Sequence, residues 1–164
     1  MGEGDDQFDL ERFVQAQDHG RTYAGVLEEL RRGRKTSHWM WFVFPQIAGL
    51  GHSAMSERFA ISSLEEASAY LSHTVLGPRL IECAALLVGT AEGTTAEQIF
   101  GSVDAQKLHS SMTLFMRAAP DQSVFGEVLD RYFEGRPDVA TDQRTEPQGQ
   151  VRGLGTERTD RYRA

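Results

Sequence analysis

Residues 33–53 read GRKTSHWMWFVFPQIAGLGHS, and within them Trp39 to Phe44 form a six-residue apolar run that none in the chain exceeds. A run that is apolar on every side does not suit a surface helix, whose apolar residues form one stripe, and Pro45 stops whatever element it makes. It is therefore expected at the centre of the domain, as a short buried helix or, less favoured, a buried strand. Trp39, Trp41, Phe42 and Phe44 are expected to be core. The run is also far shorter than the roughly 20 apolar residues a bilayer crossing needs, so no transmembrane helix is expected.

Outward from this plug, the apolar spacing is helical. Leu10, Phe13, Val14 and Gln17 form one stripe behind a capping Asp9, and Tyr23, Val26, Leu27 and Leu30 form a second that ends at Gly33. Ser63 and Glu66 have capping-box spacing ahead of Leu64, Ala67, Tyr70 and Leu71, and Pro78 opens a segment carrying Leu80, Ala84, Leu87 and Val88. Ala96 to Phe100 make at most a short turn, after which Ser102 caps a segment with Val103, Leu108, Met112, Phe115 and Met116. Val124, Phe125, Val128, Leu129, Tyr132 and Phe133 follow Ser123, and Gly135 and Pro137 close that element. No segment alternates as a strand would. The expected fold is all-α: a single multihelical domain of about six helices around a short buried central helix. It spans 8–140, with a flexible N-terminus at 1–7 and a disordered, flexible tail at 141–164.

The 164 residues carry a net charge of −7, which argues against broad attraction to nucleic-acid phosphates. The acidic N-terminus lacks the basic and apolar regions of a secretory signal, and the one cysteine, Cys83, sits in an apolar helical stripe. A cytoplasmic location is the expectation, with no membrane partner. The five histidines never show the i, i+4 spacing of a helical zinc motif, so neither a metal nor another cofactor is expected.

Polar groups cluster at both ends of the plug: Lys35, Ser37 and His38 before it, and Gln46, Gly49, Gly51 and His52 after it. If the plug is a helix, its start offers free N–H groups beside a cation and an imidazole, an environment for a small anionic ligand. A second polar cluster, Asp104, Lys107, Ser110 and Ser111, lies on an amphipathic helix. There Asp104 and Lys107 are one turn apart and can pair, and the serines can equally form a polar seam between helices.

The segments FDLERFVQAQ, HWMWFVFPQ, KLHSSMTLF and VLDRYFEGRPD resemble domain-of-unknown-function family 1810 over about Phe8 to Thr141. That resemblance implies a multihelical fold with a short buried central helix and supplies no established reaction. Some bacterial members carry the label calpastatin, but nothing in this sequence supports a protease-inhibitor role. Where the family pattern has Arg, this chain has His109. The order of elements is also loosely similar to helical glycosidases acting on riboside and ADP-ribose adducts.

Two functions follow. The first is a pocket for a nucleotide or ADP-ribose-type ligand, or a hydrolase of N-glycosidic bonds. In it Lys35, Lys107, Gln46, Ser110 and Ser111 bind the ligand, Trp39 or Trp41 stacks on its base, and Asp104 and His38 are the catalytic candidates. The second is a noncatalytic helical interaction module, with the same polar groups bonded internally and Arg12, Arg31, Arg32 and Arg34 on a partner-binding face. The sequence does not fix the oligomeric state.

Overall fold

Trp39 to Phe44 enter a helix of four residues, α3 (Met40–Val43), in the computed structural model, which describes residues 6–146. Around it stand α1 (Glu11–Asp18), α2 (Thr22–Arg32), α4 (Ala54–Arg58), α5 (Leu64–Ser72), α6 (Leu76–Val88), α7 (Ala96–Ala118), α8 (Ser123–Phe133) and α9 (Val139–Thr145). The fold is all-α, and among the described residues the only β pairing is one parallel bridge, Ile47 to Ile61. The expected six helices are α1, α2, α5, α6, α7 and α8. Two more, α4 and α9, were not foreseen, because five and seven residues are too few to display a stripe.

The long helices α5, α6, α7 and α8 pack on one another, α2 lies on α6, and α1 bridges α2 and α3. An aromatic chain ties these layers together. Phe42 meets Phe59 at 5.4 Å, Phe59 meets Phe13 at 5.6 Å, Phe13 meets Tyr70 edge-on at 5.0 Å, and Tyr70 meets Phe115 at 5.3 Å. Among the described residues no single helix is long and apolar enough to cross a membrane; α5 and α6 reach that length only together, across a 91° bend.

Several ends differ from the sequence expectation. Asp6 caps α1 in place of Asp9, its carboxylate accepting from the Leu10 and Glu11 amides at 2.6 and 2.9 Å, so ordered chain begins inside the segment expected to be flexible at 1–7. His73 opens α6 two residues ahead of Pro78, its Nδ1 accepting from the Val75 and Leu76 amides. The break expected near Ser102 is a kink at Gly101, whose φ of 79° interrupts α7 in a conformation that glycine tolerates. The tail expected from 141 starts too early: Thr141 is fully buried in α9, and the carboxylate of Asp138 caps that helix through Thr141 N at 3.0 Å. Residues 1–5 and 147–164, also assigned to flexible ends, lie outside the described residues.

Arg12 was placed on a partner-binding face, yet it is an internal staple. Its five N–H groups reach five acceptors: the carbonyls of Phe8, Asp9, Arg58 and Ala60, and the Glu66 carboxylate at 3.0 Å. Removing it strands the buried Glu66 charge. Arg12→Ala is expected to lower the unfolding free energy by about 3–5 kcal/mol in urea titrations, and Arg12→Lys, with three donors at one point, to recover little of it.

Candidate functional site

A four-residue helix closes very few internal hydrogen bonds, so α3 is held by what surrounds it. Its entry is set by Glu29, an acid inside the apolar stripe of α2 and only 5% exposed. Glu29 Oε1 accepts from Thr36 N at 2.8 Å, Ser37 N at 3.1 Å and Trp39 Nε1 at 2.9 Å, and Oε2 accepts from Ser37 Oγ at 2.6 Å. Burial alone would raise this carboxyl, but the donors from Ser37, Thr36 and Trp39 outweigh it and hold it at about 2. The anion expected at the start of the central element is thus met first by the protein's own carboxylate. At the far end, Gln17 Nε2 donates to Phe42 O at 2.7 Å, and Gln17 Oε1 accepts from Arg79 at 3.1 Å.

Lys35 and Lys107 do approach each other from different elements, with Asp104 between them. Lys35 Nζ lies 2.8 Å from Asp104 Oδ2 and donates to Ser37 O at 2.5 Å, and Lys107 Nζ lies 3.5 Å from Asp104 Oδ1. Lys35 is also 5.2 Å from the Trp39 ring centroid, and its amide donates at 2.8 Å to the Ile99 carbonyl just ahead of the Gly101 kink. The triad docks the 33–39 loop onto α7.

The remaining sequence candidates fall in separate places. His38 is exposed and, with the edge of buried Trp39, lines an open cleft of about 320 Å³ shared with Arg21, Thr22 and Gly25. Trp41 is only half-buried, against expectation: it packs on the core and also lines a cavity. That cavity, about 240 Å³, is walled by Trp41, Phe44 and Phe59 and edged by Gln46, Gly49 and Glu57. The backbone on either side is pinned by the bridge, with Ile61 N donating to Gln46 O and Ala48 N to Ile61 O, each at 2.8 Å. The Gln46 side-chain amide has no hydrogen-bond partner among the described residues.

Ser110 is buried in a different network. Asp138 Oδ2 accepts from Ser110 Oγ at 3.3 Å and from Thr141 Oγ1 at 2.6 Å, while Oδ1 accepts from Gln106 at 3.2 Å. His109 stacks flat on Phe133, its ring centroid 4.2 Å away, with Nε2 2.7 Å from the Arg136 carbonyl. Ser111 is fully buried, and its Oγ has no partner among the described residues. None of four cavities among the described residues is lined by Lys35, Asp104, Lys107, Ser110 or Ser111, so none of the four brings all the candidates together.

The Cys83 thiol is pushed up to about 12 by burial, against a lowering hydrogen bond from Tyr23, and stays protonated at neutral pH. Among the described residues no three His, Cys, Asp or Glu side chains gather as a metal set.

A family model described as "Protein of unknown function (DUF1810)" matches residues 7–145. A solved structure, the conserved hypothetical protein Rv1873 from Mycobacterium tuberculosis, is similar at 52% identity and a TM-score of 0.82, over 85% of this chain and 98% of that one. No curated protein matches.

The depressed Glu29 carboxyl makes a pH prediction. A folded value of about 2 against an ordinary 4.5 means that its stabilisation is complete above about pH 4.5 and is lost as pH falls toward 2. Glu29→Gln should cost about 3 kcal/mol at neutral pH, with the gap to wild type closing between pH 4.5 and 2 in denaturant titrations.

Proposed function

We propose, for a chain that belongs to the DUF1810 family of proteins of unknown function, that the cavity beside α3 binds a small molecule through a flat, hydrogen-bonding ring such as a nucleobase. The single observation behind this reading is the pairing of a half-buried Trp41 face with the unengaged amide of Gln46 in one cavity of about 240 Å³. Stacking supplies affinity for a flat ring, and an amide, being both donor and acceptor, can read the edge of a base. Phe44 and Phe59, buried behind it, make the walls rigid. Of the nucleotide or ADP-ribose-type ligands expected from the sequence, the base is the part this cavity fits.

Hydrolysis of an N-glycosidic bond has less support. A glycosidase of the usual kind sets two carboxyl groups across the scissile bond, and this cavity offers Glu57 alone. Asp104, the other candidate, is already paired with Lys35 and Lys107. The interaction-module reading keeps exposed Arg31, Arg32 and Arg34 but loses Arg12 to the interior.

Titration calorimetry of the full chain with adenosine, guanosine, cytidine and uridine tests the reading. At least one should bind, and Trp41→Ala should weaken it about tenfold or more, the scale of one base–aromatic stack. If none binds at millimolar concentration, or Trp41→Ala binds as wild type does, the reading is wrong.

A further inference from the structure

We infer that Arg144 is the anion-binding residue of this same cavity, so that the ligand carries a phosphate monoester or comparable singly placed anion beside its base; the inference rests on the base-binding reading above. Gly49, on the cavity rim, has a φ of +98°, and a methyl group there would stand 3.2 Å from both Cζ and Nη1 of Arg144. The guanidinium of α9 therefore lies against Gly49, a residue that lines the cavity, while Arg144 itself lines the neighbouring cleft. On its other side is an open cleft of about 630 Å³, bordered by the hydroxyl-bearing Ser62, Ser63, Ser68 and Thr145.

The placement of Arg144 is built into the fold. Asp138 ties the start of α9 to α7 through Ser110, Gln106 and the Thr113 hydroxyl, which accepts from Asp138 N at 2.8 Å. One turn on, Asp142 is held by Arg117 in a two-point ion pair, 2.9 Å at each oxygen. Both oxygens of the nearest acid on α9 are thus engaged, and among the described residues Arg144 has no ion-pair partner. The chain is acidic overall, so a cation left unpaired and steered onto the lip of an aromatic cavity makes a local positive focus. Glu57 on the cavity and Glu65 on the cleft bound the charge such a site accepts, since each repels a highly charged polyphosphate. A single phosphate beside the base fits both facts. Arginine suits it because its planar fork engages phosphate oxygens two at a time.

Nucleoside and nucleoside 5′-monophosphate pairs separate this inference from the reading beneath it. With the full chain, AMP (or the guanine, cytosine or uracil equivalent) should bind about tenfold tighter than its nucleoside, and Arg144→Gln should erase that difference while leaving nucleoside affinity unchanged. Arg144→Lys should restore part of it, and raising salt should weaken only the monophosphate. Because Arg144 is exposed, an unaltered melting temperature is expected for both variants and confirms that the fold is intact. Equal binding of nucleoside and monophosphate by wild type, or a monophosphate preference that survives Arg144→Gln, overturns the role of Arg144 and leaves the base cavity standing. Absence of binding by every nucleoside and monophosphate overturns both.

Discussion

The burial of the Glu29 carboxylate without a contacting cation is the constraint on which the centre of this fold depends. A lone buried charge is costly, and here four donors from one short stretch of chain offset that cost. Those donors are two backbone amides, a hydroxyl and the indole N–H, so satisfying Glu29 also dictates the path of residues 36–39 and the orientation of Trp39. Trp39 then packs on Phe44 and Phe100 at 6.2 and 6.4 Å, and α3 follows. A helix too short to persist alone becomes the pivot of the domain because an acid on α2 has fixed its first residue.

The lysines act one layer further out. Two ammonium groups share Asp104, which sits in the first turn after the Gly101 kink, and the same kink leaves the Ile99 carbonyl to accept from the Lys35 amide. Loop and helix are therefore joined by a backbone bond and an ion pair at one residue, Lys35. Its side chain is 8% exposed, which makes the pair with Asp104 far less screened than a surface contact.

Apolar periodicity made the long helices legible, and the isotropic apolarity of residues 39–44 made the central one legible too. What stayed hidden was the buried polar set. Glu29, Glu66, Gln17 and Asp138 are residue types that normally face solvent, and their burial depends on partners as far as 62 positions away that no local pattern announces. Glu29 left one trace, an acid on the inward face of the α2 stripe. The same blindness misplaced the C-terminal boundary: residues 138–145 look polar and aperiodic, yet Asp138 and Thr141 are buried because their polar atoms satisfy each other and α7. Of the site residues, Trp41 belongs to the plug and Gln46 follows it closely, so both are legible in one stretch, whereas Gly49 gains meaning only from α9 lying against it.

The helix at the end of the described chain shows how a domain with an acidic surface keeps one cation in place. Arg117 spends both arms on Asp142, and Asp138 fixes the helix start, so α9 is anchored at two successive turns by carboxylates that are themselves fully engaged. An arginine two residues beyond Asp142 has neither acid available to it, and its guanidinium reaches the loop that follows α3. That loop can receive it because position 49 is glycine: with φ at +98° any larger residue would be strained, and its Cβ would stand 3.2 Å from guanidinium atoms that would have to give way. The central plug and the terminal helix, far apart in sequence, thus meet at one peptide.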